Sequence, residues 1–368
     1  MDFSFSEEQQ AAQEAAKAAF SGVSPEEVES PALVREAVAD DFDRALWRRL
    51  AASDLLGLLV PQEHGGSGLD PVALCLLLRE AGRVLARVPL LETSAAALTV
   101  GAYGSAELRA ALLPRIATGE LALTAAAHGR TGHEPPHQAV TATREGEGWS
   151  LEGTQTAVPW AQSADLTLIP AQTAQGAPVL AFLPPDVPGV TLAGQASTNG
   201  ERYAEIRLAA AHVPARDLID APEAADHLQR LLTTGTCALA LGLAGRVLEM
   251  TSAYVSERRQ FGFPVATFQA VAVQTADRYI DVRAMEATLW QAAWRLAPLD
   301  VAVAKIWASD GVRRVVQTAQ HLHGGMGADT DYPLHRFHAW AKQWELSLGP
   351  AAAHEEALGD LLATHQPA

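Results

Sequence analysis

Cysteine is scarce. The 368 residues carry two, Cys75 and Cys237, too few for a disulfide-stapled secreted fold. Both lie in apolar, helix-like stretches, the pattern of buried free thiols in a reducing compartment. Basic residues are also few, 27 Lys and Arg against 43 Asp and Glu, which leaves a net charge of −16. No Lys/Arg cluster reverses that balance locally, so phosphate backbones are repelled and nucleic acid is not an expected partner. The opening residues lack a basic start followed by an apolar run, which argues against a signal peptide. The longest uncharged stretch weighed as a membrane span, Leu231 to Gly245, contains three threonines. It reads as a buried helix, too short and too polar to cross a bilayer. A cytoplasmic location without membrane contact is the expectation.

What is present is apolar: 48% of the residues, enough to bury the cores of two or three domains. From Phe5 to about Thr118 the signals are helical, beginning at Ser6 with Glu7, Glu8 and Gln9 behind it, a helix start with acids near the positive end of the dipole. From about Leu121 to Ala221 short β-type runs appear: Ala139 to Thr143, Trp149 to Leu151, Leu166 to Ile169, Val179 to Phe182 and Tyr203 to Leu208. Glu-Gly and Pro-Gly loop signals divide them. From Ala221 long amphipathic helices return, among them Val271 to Trp294 and Asp300 to His321. The expected fold is mainly α with a central β domain: an N-terminal helical domain (1–118), a β-barrel-like domain (119–220) and a C-terminal four-helix bundle (221–368). No internal repeat, P-loop, dinucleotide fingerprint or Ser-His-Asp order is seen.

Three stretches carry a resemblance. The first is Leu59-Val60-Pro61-Gln62-Glu63-His64-Gly65-Gly66-Ser67-Gly68. The second is Glu257-Arg258-Arg259-Gln260-Phe261-Gly262, followed by Phe268-Gln269-Ala270-Val271. The third is His323-Gly324-Gly325-Met326-Gly327 with Tyr332-Pro333 after it. Each alone is weak. Together, in this order and on these helices, they resemble the acyl-CoA dehydrogenase family over essentially the whole chain. The resemblance implies an FAD-dependent enzyme that removes an α-proton from an acyl-CoA thioester, usually with a glutamate, while a hydride leaves the β-carbon for the flavin. It assigns cofactor contacts to Arg258, Gln260, Phe261, Gln269, His321, Gly324 and Gly325. Their chemistry suits an ADP-type ligand: a guanidinium for pyrophosphate, an apolar ring face, an amide, and glycines that admit close backbone approach. Without the resemblance, Arg258 and Arg259 read as solvated helix charges and the glycines as a plain helix stop.

The departures from the family pattern are equally informative. Where relatives carry a "TEPxAGSD"-like turn, this chain has Leu123-Thr124-Ala125-Ala126-Ala127-His128-Gly129-Arg130. Where they carry a "WIT"-like strand, it has Ala157-Val158-Pro159-Trp160. Pro159 has no N–H to donate, and strand alternation points Trp160 away from the face of Ala157. The three places where relatives carry the catalytic glutamate fall at Leu232, Leu239 and Leu348. Glu345 is the one acid close to Leu348, about 4.5 Å away along a helix. Glu249, ten residues beyond Leu239, is too distant.

In family dimers one subunit holds the flavin ring and its neighbour grips the ADP end. This chain keeps residues of the second kind and lacks those of the first. It therefore resembles the non-catalytic subunit of α2β2 steroid side-chain acyl-CoA dehydrogenases, with FAD shared across the subunit interface. A homologous partner bearing the catalytic glutamate, an acyl-CoA substrate and an electron-transfer acceptor are implied. His321 stands where relatives usually have glutamine, and Asp329 where they have threonine or serine, a charge that would repel a nearby pyrophosphate. Three rivals remain at this point: a homo-oligomeric dehydrogenase using Glu345, a flavin-free scaffold subunit, and a monooxygenase of the same fold. The pairs His321/His323 and His335/His338 lack thiolate or carboxylate company and i, i+4 spacing, so no metal is expected.

Overall fold

A computed structural model describes residues 4–28, 37–129 and 135–364. It contains N-terminal helices, a central sheet and C-terminal helices. The N-terminal helices are α1 (Glu7–Phe20), α2 (Arg44–Ala52), α3 (Pro71–Arg83), α4 (Leu90–Tyr103) and α5 (Ala106–Ala117). Ser6 starts α1 as its sequence suggests. Its Oγ accepts from the Gln9 N–H at 3.2 Å, while Gln9 Oε1 accepts from the Ser6 N–H at 3.0 Å, a reciprocal capping box. Asp43 caps α2 through the amides of Ala45 and Leu46. The Gly65-Gly66 turn is a steric necessity: a Cβ on Gly66 would sit 2.1 Å from the Val60 carbonyl oxygen.

The sheet comprises β1 (Leu123–Ala125), β2 (Val140–Glu145), β3 (Gly148–Pro159), β4 (Leu166–Thr173), β5 (Pro178–Leu183), β6 (Val190–Ala196), β7 (Arg202–Pro214) and β8 (Leu218–Ile219). The order is β6-β7-β3-β2-β4-β5-β8, with β1 parallel to β4. Four of the five β runs expected from sequence fall within β3, β4, β5 and β7, and the fifth overlaps β2 but starts one residue early, at Ala139; β1, β6 and β8 go beyond that expectation. One face is filled by Val140, Leu151, Ile169, Val179, Ala181, Ile206 and Val213, all buried.

The C-terminal helices are α6 (Pro222–Glu257), α7 (Gln269–Arg295), α8 (Pro298–His323), α9 (Leu334–Leu346) and α10 (Ala351–Thr364). A short hairpin, β9 (Arg259–Gln260) with β10 (Phe263–Pro264), joins α6 to α7. α8 packs against α7, α9 and α10. α6 agrees with 231–245 as a buried helix and corrects the length and polarity ascribed to it. The helix is 36 residues long and meets the length and composition of a membrane span, but 78% of its most apolar 18-residue window is buried inside the protein. Cys75 and Cys237 are buried and form no disulfide, and burial pushes the Cys237 thiol up to about 12. The described chain divides into two compact units: 4–19, 38–74, 87–129 and 135–232 in the first, and 20–28, 37, 75–86 and 233–364 in the second.

Candidate functional site

In the first unit, the segments aligned with the flavin-ring motifs are closed on themselves. β1 is fully buried, and the Thr124 hydroxyl donates to the Pro159 carbonyl at 2.5 Å. The Gln155 amide is completely buried. Its oxygen accepts from the Gly129 N–H at 2.9 Å, and its nitrogen donates to the Pro136 carbonyl at 2.7 Å. The Thr156 N–H donates to Gly129 O, and the Ala157 N–H donates to Gln195 Oε1 at 2.9 Å. Pro159 has no donor. The backbone N–H groups of Thr156 and Ala157 are thus spent inside the unit, and these residues do not fit an isoalloxazine. Arg130, which the aligned turn includes, lies outside the described residues.

Trp160 also requires a correction. The register slips between Gln155 and Val158, Ala157 and Trp160 both take left-handed φ (50° and 58°), and Trp160 follows the end of β3. Strand alternation therefore does not set its direction. The ring is buried against Phe42, edge-on at 6.3 Å, and hydrogen-bonds the Glu92 carboxyl. Burial raises that carboxyl to about 7. Burial, with Glu201 and Glu92 nearby, also raises the neighbouring Tyr203 phenol. Glu201 itself is neutralised by Arg87 at 2.5 Å.

The second unit presents the opposite picture. Arg258, Arg259, Gln260 and Gln269 are exposed, and the Phe261 ring, held at φ 52°, is 89% exposed. Phe261 meets Phe268 edge-on at 6.4 Å. An open groove of about 360 Å³ runs between α6 and α7 beneath this hairpin, lined by Leu248, Ser252, Val255, Val271, Thr275 and Tyr279. At the end of α8, His321, Gly324 and Gly325 are exposed. A Cβ on either glycine would meet nothing within 4 Å, and Gly324 has φ 58°, so the turn is open to an incoming group. The Asp329 carboxylate is engaged locally, accepting from the Asp331 N–H at 3.0 Å. Exposed guanidinium, ring, amide and open glycines fit the ADP portion of a dinucleotide.

Models of the acyl-CoA dehydrogenase N-terminal domain (residues 6–120) and C-terminal domain (230–361) both match the sequence. FadE27, an acyl-CoA dehydrogenase of Mycobacterium tuberculosis, is 37% identical over 336 residues, covering 88% of this chain and 89% of that relative. The chain belongs to the acyl-CoA dehydrogenase family. Two solved structures extend the likeness. The ChsE4–ChsE5 complex from Mycobacterium tuberculosis matches with a TM-score of 0.92 and 35% identity over the full length of both chains. A variant of the Tcur3481–Tcur3483 steroid ACAD matches with a TM-score of 0.89 and 37% identity, covering 97% of this chain and 98% of that one.

The three positions at which the resemblance places the base of an acyl-CoA dehydrogenase are leucines in this chain. Leu232 is buried on α6, Leu239 is half-buried on the same helix, and Leu348 sits beyond α9 at φ 59°. Glu345 occupies the last turn of α9, with Ser347 extended and Leu348 left-handed after it, so the helical separation expected between Glu345 and Leu348 does not apply. The Glu345 carboxylate is held by Lys342 at 2.6 Å and Arg313 at 3.8 Å, which opposes service as a free base. Two features escaped the sequence reading. One is Lys305, fully buried, which donates to Ser309 Oγ, Trp344 O and Glu345 O at 2.8–3.1 Å; burial lowers its ammonium to about 8. The other is an aromatic stack around His323.

Proposed function

We propose that this chain is the base-free subunit of a heteromeric, FAD-dependent acyl-CoA dehydrogenase acting on a bulky, steroid side-chain acyl-CoA. The observation that carries the proposal is the contrast within one chain: the donors of the ring-type segment are consumed internally, whereas the ADP-type residues stand exposed. FAD, when bound, supplies the hydride acceptor for forming the α,β double bond. This chain's part is to hold the ADP end of a flavin whose ring rests in the partner. Arg258 neutralises pyrophosphate, Phe261 offers a ring face, and Gln269, Gln260 and His321 supply polar contacts. Gly324 and Gly325 bring backbone N–H groups close. The partner is a homologous subunit bearing the glutamate base, and an electron-transfer acceptor reoxidises the complex.

The relatives named as a two-protein complex and as a steroid ACAD support this assignment of assembly and substrate class. The domain division at 1–118, 119–220 and 221–368 and a cytoplasmic setting belong to the same proposal. Flavin stoichiometry with native mass tests it, on this chain alone and co-expressed with the dehydrogenase-like product of a neighbouring gene. The expected result is an apo or insoluble chain alone and a heterotetramer with two FAD on co-expression. A yellow homo-oligomer with one FAD per chain and acyl-CoA turnover would sink the proposal and return attention to Glu345.

A further inference from the structure

The residues assigned to the ADP end come from two places far apart in sequence, the hairpin after α6 and the turn after α8. One aromatic stack joins them. The Tyr254 and His323 rings lie nearly parallel, 22° apart with centroids at 4.3 Å, and the Tyr332 ring leans on His323 at 5.3 Å. His323 is 2% exposed and does not face the ligand side. Its Nδ1 lies 2.7 Å from the Ala319 carbonyl, which can only accept, so Nδ1 carries the proton. Nε2 is then the acceptor for the Tyr332 hydroxyl at 3.2 Å. Burial holds the imidazole below its ordinary pKa, which keeps this arrangement neutral.

Tyr254 links the two segments directly. Its carbonyl accepts the Arg258 N–H at 2.8 Å, and its hydroxyl donates to the His323 carbonyl at 3.3 Å. The residue after His323 is Gly324, where the chain turns left-handed. The Arg258 bond is the helical i, i+4 bond that closes α6, so the Tyr254 side chain ties the last turn of that helix, and Arg258 with it, to the backbone before the glycine turn, and His323 and Tyr332 complete the clamp.

We infer that Tyr254, His323 and Tyr332 are positioning residues that set the spacing between Arg258 and the Gly324-Gly325 turn, and so the affinity for the ADP end of the flavin. This rests on the functional reading above. A side chain that fixes the geometry of a charged contact without touching the ligand changes affinity through alignment, and two lost hydrogen bonds are of the order of tenfold in a binding constant.

The test uses the co-expressed complex, stripped of flavin and titrated with FAD by fluorescence, with native mass and apo melting temperature recorded for each variant. His323→Phe keeps a stacking ring but loses both side-chain hydrogen bonds. It should weaken FAD about tenfold while the assembly mass is unchanged. Tyr332→Phe removes only the hydroxyl and should weaken FAD about threefold. Because the two share one bond, the double variant should bind about as well as His323→Phe alone, short of the product of the two effects. Arg258→Ala is the control for the underlying reading. If it loses FAD while both aromatic variants bind at wild-type affinity, with only a lower apo melting temperature, the stack is merely structural and the inference falls. If Arg258→Ala binds FAD like wild type, the assignment of the ADP site fails first, and the inference with it.

Discussion

Two segments of this chain, which the family resemblance reads as the two ends of one cofactor site, differ in how their polar groups are met. Around β3, side-chain amides of Gln155 and Gln195 answer the backbone groups that a ligand would otherwise meet. Around the hairpin and the end of α8 the surface is left open: Phe261 is 89% exposed and a Cβ on Gly324 or Gly325 would meet nothing within 4 Å. A buried polar group left unpaired costs roughly 1–3 kcal/mol, so a segment that no longer meets a ligand is stable only if its own chain pairs those groups. An exposed segment carries no such penalty. The lesson is that internal hydrogen-bond closure and open exposure are the two states that the proposed function assigns to a ligand-free and a ligand-holding segment.

The largest expected effect is on the open side. Arg258→Ala should lower the flavin content of the co-purified complex by about tenfold or more, read from the absorbance ratio, because a charge-assisted contact to pyrophosphate is lost. On the closed side, Gln155→Ala should cost about 3 kcal/mol of stability in urea melts, since it strands the Gly129 N–H and the Pro136 carbonyl, while the flavin content of the complex stays the same. A smaller effect belongs to Glu92. Its folded pKa of about 7 lies above the ordinary 4.5, so the stability contributed by its neutral form is full below pH 4.5 and is lost as pH rises to about 7. Glu92→Gln should therefore gain about 1–2 kcal/mol over wild type at pH 8 and nothing at pH 4, seen in paired denaturation curves. The smallest change is expected from Glu345→Gln, which leaves turnover of the complex intact if the base lies in the partner; a hundredfold loss would reverse that assignment.

Much of the fold was readable from residue patterns. Amphipathic periodicity located α7 and α8 to within about two residues at each end, and the Ser6 capping signal placed the start of α1. β6 escaped because its residues are mostly half-exposed and include Gly194, so no apolar alternation marks it. β3 runs from 148 to 159, far past the expected 149–151, because Gly153 and Pro159 disguise a continuous strand. For the site, the family resemblance, and not charge or glycine spacing by themselves, pointed to Arg258 and to the glycine turn. The clamp that joins them was not legible: Tyr254 and His323 lie 69 residues apart, and nothing in local periodicity pairs them. Closure of the ring-side segment depends likewise on Gln195, 38 residues from Ala157, and only the tertiary register brings the two together.

The corner after α9 has a longer consequence. Lys305 and Ser309 hold the carbonyls of Trp344 and Glu345, and the His354 imidazole donates to the Leu348 carbonyl at 2.8 Å. None of these bonds involves the Leu348 side chain. The corner is held independently of the side chain it displays. A left-handed φ of 59° strains glutamate no more than leucine. Leu348→Glu would thus place a carboxylate on a corner whose backbone other residues already hold, so the change can be made there without rebuilding the turn.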